Sequence, residues 1–260
     1  MIRAVFVTGA CVNTGVAIVE KFAEEGCNVV FSGRNADKVA EAKQRYEKKF
    51  PSVKIFGYAL SSLTGSGEVD EKSLDEMFAD LDENGIFIDT LVLNAADQGL
   101  NMKIFENPLS DFTRVVGANV FWNYAICERA ALRMKQNGGG SITFINSNTA
   151  YRAIPDRIAY ETSKGAQLGM MRGLALDLGK YGIRVNAVLP GMIITDRWEK
   201  NPDFYKSVPS RYTPLGSVAT GRDVADAVWY FAAHAANTTG AELVVDGGNT
   251  IQLYPIIPKE

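Results

Sequence analysis

The feature that most constrains this chain is a series of short, almost wholly apolar segments, each separated from the next by a stretch with helical spacing. Ala4–Thr8, Cys27–Ser32, Val53–Leu60, Thr90–Leu93, Ser141–Asn146, Val185–Leu189 and Leu243–Val245 read as strands. A strand that is apolar on both faces has to be covered on both faces, which is the situation in a parallel sheet. Gly15–Glu25, Asp37–Lys49, Lys72–Glu83, Ser110–Gln136 and Ile158–Leu178 read as helices, and Leu74, Met77, Phe78 and Leu81 form one apolar stripe. Strand–helix alternation with right-handed crossovers gives an α/β doubly wound parallel sheet, a Rossmann-type domain with helices on both faces. The alternation takes in residues 1–260 as a single domain, with no repeat and no linker.

Composition removes several functions. Hydrophobic residues make up 47% of the 260, as in a globular chain. No apolar run approaches the roughly 20 residues of a bilayer span. The apolar run near the N-terminus is short and ends in Thr8-Gly9, so it reads as a first strand rather than a signal peptide. The net charge of −3 gives no support for nucleic-acid binding. Cys11, Cys27 and Cys127 match no metal spacing and read as reduced thiols of a cytoplasmic protein. The single histidine, His234, lies in a helix-like run without an acidic neighbour, which argues against a Ser-His-Asp triad and against a multi-histidine metal site.

Where the first strand runs into a helix, the connecting sequence is Thr8-Gly9-Ala10-Cys11-Val12-Asn13-Thr14-Gly15, followed by Val16. A doubly wound sheet binds pyrophosphate at this place. Glycines admit the phosphates to the backbone, and the helix N-terminus offers N–H donors. Gly9, Cys11, Asn13, Thr14, Gly15 and Val16 are therefore candidate cofactor contacts. The second strand ends in Gly33-Arg34-Asn35. A carboxylate there would favour the free ribose hydroxyls of NAD. A glycine followed by a guanidinium favours the 2′-phosphate of NADP, with NAD still open. Leu60 ends the third strand, where an adenine could lie, and Asn94-Ala95-Ala96 end the fourth.

Tyr160 and Lys164 are four residues apart, and thus on one helix face. A phenol titrates near 10, too high for proton transfer at neutral pH, and a neighbouring ammonium lowers it. Such a tyrosine can give a proton to a carbonyl oxygen or take one from an alcohol. Ser147 follows the fifth strand, at the carboxyl edge, where its hydroxyl can hold the same oxygen.

These motifs, in this order, resemble the short-chain dehydrogenase/reductase family of the classical type. The resemblance extends from Thr8-Gly9 to Val245-Asp246-Gly247-Gly248, through Asn94-Ala95-Ala96, Asn119, Ser147, Tyr160-Glu161-Thr162-Ser163-Lys164 and Leu189-Pro190-Gly191. It implies a catalytic set of Asn119, Ser147, Tyr160 and Lys164. In that set Lys164 also binds the nicotinamide ribose, and Asn119 holds a water that connects Lys164 to solvent. A local alternative for Asn119 is a mid-helix asparagine satisfying a backbone kink. The resemblance also implies that Pro190 and Gly191 lie beside the nicotinamide, with Ile193 and Thr195 at its carboxamide and the phosphates. Three positions depart from the family pattern. Asn13 replaces a glycine, Ala59 replaces an acid, and Val12 stands where NADP-preferring members often carry a base.

The reading is an NADP(H)-dependent oxidoreductase acting on a small-molecule alcohol/carbonyl pair, with no metal. Asn148 beside Ser147 is a candidate substrate contact with Ser147 and Tyr160. Tyr151, Arg152, Asp97, Gln98 and Asn101 add hydrogen-bonding capacity that suits a sugar, polyol or hydroxy acid. A steroid or acyl-chain ketoreductase, and a non-catalytic NADP-sensing regulator, are the alternatives. Residues 192–214, with Trp198, Phe204, Tyr205 and Tyr212, read as a lid. Gly165, Ala166 and Gly169 would allow close helix packing between subunits of a tetramer or dimer.

Overall fold

A computed structural model describes residues 2–196, 198 and 211–254. The strands are β1 (Ile2–Val7), β2 (Asn28–Gly33), β3 (Ile55–Ala59), β4 (Ile86–Leu93), β5 (Gly140–Ile145), β6 (Ile183–Pro190) and β7 (Glu242–Val245). The helices are α1 (Asn13–Glu24), α2 (Ala36–Lys49), α3 (Glu71–Glu83), α4 (Leu109–Val116), α5 (Trp122–Gln136), α6 (Ile158–Leu178) and α7 (Gly221–Trp229). All the strand pairings are parallel, in the order β3-β2-β1-β4-β5-β6-β7.

The apolar strands divide their side chains between two cores, as a period of two requires. In β1, Ala4 and Phe6 point to the core beneath α3, α5 and α6, while Val5 and Val7 point to the core beneath α1, α2 and α7. Leu91 and Leu93 of β4 divide from Val92 in the same way. Each large side chain fully buried here contributes on the order of 1.5–3 kcal/mol. Phe6 meets Phe78 of α3 edge-on, with ring centroids 6.4 Å apart.

The chain leaves β1 for β2 and β3, then crosses back to lay β4 on the other side of β1. At this reversal the helices that follow β1 and β4 cover opposite faces of the sheet and leave a crevice outside the carboxyl ends of the strands.

Two expectations need correction. The helical stretch expected over Ser110–Gln136 is continuous but not uniform, with α4 and α5 joined by a wide π turn at Gly117–Phe121. β4 begins at Ile86, earlier than the apolar run at Thr90 suggests, because β1 pairs along it with a register shift between Ala4 and Val5. Asp89 interrupts the apolar pattern there and lies 3.6 Å from the Arg3 guanidinium. His234 is exposed, in a π turn after α7. No helix among the described residues is long and apolar enough to cross a membrane.

Candidate active site

A cleft of about 810 Å³ runs along the carboxyl edge of the sheet. At one end it is lined by Gly9, Cys11, Asn13, Thr14, Gly15, Gly33, Arg34, Asn35 and Leu60, and at the other by Ser147, Tyr160, Lys164, Pro190, Gly191, Ile193 and Thr195. Asn94, Ala95 and Ala96 lie between. The residues picked out from the sequence thus share one continuous cavity, with three exceptions. Val16 packs its side chain into the core. Asn119 is fully buried behind the cleft wall. Asn148 turns its amide to Asn249 (2.9 Å) beside Gly191 and is not itself among the residues that line the cleft.

The nucleotide end is built by backbone. Gly9 has φ +65°, and Asn13, in place of a glycine, has φ 49°, a left-handed conformation that asparagine tolerates better than most residues. A Cβ on Gly15 would sit 2.5 Å from the Gly9 carbonyl oxygen, so only glycine lets α1 start so close to β1. Val12 precedes α1 without a side-chain cap, which leaves the first-turn N–H groups to a ligand. Thr8 Oγ1 accepts from the N–H groups of Asn94 and Ala95 (both 2.9 Å), and Asn94 Nδ2 donates to the carbonyls of Thr8 (3.0 Å) and Gly9 (3.1 Å). These bonds clamp the loops after β1 and β4 together. Asn94 thus has a structural role, tying these two loops.

At the far wall Arg34 and Lys38 are exposed cations on one side of the cleft. Ser32 Oγ beside them is buried without a partner. A Cβ on Gly33 would overlap Cys11 Sγ, so the place of an NAD-type carboxylate is filled by sulfur. An uncapped helix start, an orphaned hydroxyl and two cations fit a dinucleotide phosphate ligand.

The reacting end is built by buried side chains. Lys164 is 2% exposed, with Nζ donating to the Ile145 carbonyl (2.8 Å) and to Gln167 Oε1 (3.2 Å). Its Nζ lies 5.4 Å from the centre of the Tyr160 ring. Burial pulls the lysine down to about 7. Burial pushes the Tyr160 phenol up, while the Ser147 hydroxyl and the Arg157 charge hold it down. The Arg157 guanidinium is 5.9 Å from the same ring. Asn119 sits in the π turn, where its Oδ1 accepts from the Asp97 N–H (2.7 Å) and its Nδ2 donates to the Asp97 carbonyl (2.8 Å) and to Ser163 Oγ (2.9 Å). The Asn119 side chain thus serves the loop after β4 and α6, and not the backbone of its own helix as the local alternative supposes.

Comparison with known proteins agrees with this geometry. A family model described as enoyl-(acyl carrier protein) reductase matches residues 9–250. Glucose 1-dehydrogenase of Gluconobacter oxydans is 34% identical over 96% of this chain and 92% of its own. The chain belongs to the short-chain dehydrogenase/reductase family. The structure of L-sorbose reductase from Gluconobacter frateurii, complexed with NADPH and L-sorbose, superposes with a TM-score of 0.87 at 26% identity, covering 97% of this chain and 98% of that one. A 7α-hydroxysteroid dehydrogenase complexed with NADH gives 0.84 at 29% identity, over 96% and 95%. The protein is an oxidoreductase acting on CH–OH groups with a nicotinamide cofactor.

Sequence reasoning missed several participants. Lys38 lies four residues after Arg34, a spacing that could have drawn attention. Tyr46, from the far end of α2, donates to the Ala10 carbonyl (2.6 Å) and supports the nucleotide loop from beneath. Arg157 and Arg114 line the cleft near Tyr160, Arg114 paired with Asp97. Met192 and Trp198 line the cleft; Phe204 and Tyr205, which belong to the same expected lid, lie outside the described residues.

Proposed function

We propose that this protein interconverts a secondary alcohol and a ketone or aldehyde with NADP(H), on a small polar compound such as a sugar, polyol or hydroxy acid. The observation that carries the reading is the continuity of one cleft from Arg34 and Lys38 to Tyr160 and Lys164. The two cations support a 2′-phosphate there, with Arg34 able to offer paired donors. The first turn of α1 and the Gly9–Gly15 loop would hold the pyrophosphate, and Lys164 the nicotinamide ribose. Pro190, Gly191, Ile193 and Thr195 would flank the nicotinamide. When bound, that cofactor supplies or accepts the hydride.

Tyr160 then gives a proton to the carbonyl oxygen in reduction, or takes one from the hydroxyl in oxidation. Ser147 holds that oxygen and orients it. Burial raises the phenol, and the Ser147 hydroxyl and the Arg157 cation oppose that rise; a protonated Lys164 would add to them in favouring the phenolate. Asp97, Gln98, Arg114 and Arg157 give the substrate end a polar, charged lining, which supports a polar substrate over a bare steroid or acyl chain. The segment 192–214 would cover the bound substrate. Association of subunits is supported by an exposed face on α5 and α6. Tyr124, Leu132 and Leu176 are exposed there, with Phe121 just before α5, and the open sides of Gly165, Gly169 and Gly173 meet nothing within 4 Å. A tetramer or dimer would use that face.

The test is turnover of a panel of sugars, polyols, hydroxy acids and their ketones with NADPH and NADH. Oxidation of NADPH by a polyhydroxylated ketone, with NADH slower, supports the reading. Activity confined to NADH, or to apolar ketones, overturns it in the corresponding part.

A further inference from the structure

The side chain of Gln167 is buried against Lys164, out of the cleft lining, yet it belongs to none of the roles assigned so far. It lies three residues beyond Lys164 on α6, on the same helix face, and is 1% exposed. Its Nε2 donates to the Asn119 carbonyl (2.8 Å). Its Oε1 accepts from Lys164 Nζ (3.2 Å) and from Asn146 Nδ2 (3.2 Å). The orientation of the amide is dictated by its neighbours. An ammonium can only donate and a carbonyl can only accept, so Oε1 faces Lys164 and Nε2 faces Asn119. Asn146 is fixed in turn, because its Nδ2 also donates to the Lys164 carbonyl (2.9 Å) and its Oδ1 accepts from the Ser147 N–H (2.8 Å).

We propose that Gln167 is a positioning residue for the catalytic lysine, its amide bridging the π-turn carbonyl of Asn119 to the Lys164 ammonium. The resemblance places a water between Asn119 and Lys164; here a side-chain amide spans them. The bridge has two consequences. With the Ile145 carbonyl it takes two of the three ammonium N–H groups, leaving one for the ribose and Tyr160 side. It also gives a buried cation a second acceptor, which favours the charged form against desolvation. The π turn has a purpose in this arrangement, since the wider turn directs the Asn119 carbonyl at α6.

The charged and titratable groups around Lys164 are few. Tyr160 lies on α6 itself, and Arg157 stands just before that helix, over the Tyr160 ring. From the loop after β4 comes Asp97, hydrogen-bonded to Asn119 and paired with Arg114 of α4. The ends of β5 and β6 bring Asn146, Ser147 and Pro190 to this part of the cleft, none of which titrates near neutrality.

The inference rests on the function proposed above, so its test is read first without turnover. The titration of Lys164 is followed by NMR of labelled lysine side chains in the cofactor-free protein. Gln167→Met keeps volume and removes the acceptor, and the Lys164 midpoint falls by about half a unit or more. Gln167→Glu keeps the acceptor and adds a charge, and the midpoint rises. In turnover, Gln167→Met lowers kcat about tenfold with a smaller change in KM, and moves the alkaline limb of the pH profile down, whereas Gln167→Glu moves it up. A merely structural residue would lower stability and leave both midpoints where they were. An unmoved Lys164 midpoint in Gln167→Met overturns the inference even if Gln167→Glu fails to fold. If the wild-type chain reduces no carbonyl, the proposed function falls while the NMR titration still decides the place of Gln167.

Discussion

The two ends of the cleft are built on opposite plans. The nucleotide end consists of backbone: glycines, a left-handed asparagine, an uncapped helix start and exposed cations at the rim. The reacting end consists of side chains buried to within a few per cent, Asn119, Asn146, Lys164 and Gln167, each hydrogen-bonded to another or to a carbonyl. Recognition of a flexible, charged, solvated ligand calls for shape and N–H donors, which backbone supplies without ordering long side chains. Proton transfer calls for shifted titration, which needs burial, and burial of polar groups needs a closed network. Substitutions at one end should therefore change affinity with little effect on chemistry, and at the other should do the reverse.

The largest break between the ends is expected from Tyr160→Phe. Turnover should fall by about 10²- to 10⁴-fold, while NADPH affinity measured by fluorescence titration stays within about threefold. Retained full activity would remove the assignment of the acid/base.

Lys164 gives the next effect. The unfolded chain keeps this proton up to about 10.4, whereas the folded, cofactor-free protein releases it above about 7. Between those values the unfolded state binds more protons, so this group makes the folded state gain stability as pH rises through the window. The contribution is on the order of a few kcal/mol. Lys164→Met should show a flatter dependence of urea midpoint on pH over that range; parallel curves for the two proteins would contradict it.

Arg34→Ala should weaken NADPH by about 10- to 100-fold, the size of a lost charge-assisted contact, and leave NADH almost unchanged. Equal loss of both nucleotides would remove the basis for choosing NADP. The smallest effect is expected beneath the loop. Burial pushes the Tyr46 phenol up to about 12, so it is a neutral donor to the Ala10 carbonyl. Tyr46→Phe should cost about 1 kcal/mol of stability by denaturant unfolding, with a small loss in nucleotide affinity and none in the pH profile. A large change in kcat would show that the two ends are not separable.

The same contrast explains what the sequence discloses. Gly9, Asn13, Gly15 and Arg34 are adjacent to the strand ends that use them, so a local pattern names them. Tyr160 and Lys164 lie one helical turn apart and are legible for the same reason. Tyr46 reaches Ala10 across 36 positions and Gln167 reaches Asn119 across 48, and no periodicity encodes such pairs. The π turn at Gly117–Phe121 is equally silent, since its residues are compatible with one unbroken helix. The bond from Asn148 to Asn249 spans 101 positions and is equally absent from any local pattern.

The most direct test of the account is a crystal structure of the protein with NADPH. The account predicts the 2′-phosphate against Arg34 and Lys38, the pyrophosphate on the first turn of α1, and the nicotinamide between Tyr160 and Pro190, its ribose hydrogen-bonded to Lys164. A 2′-phosphate turned away from Arg34, or a nicotinamide ring out of reach of Tyr160, would contradict it.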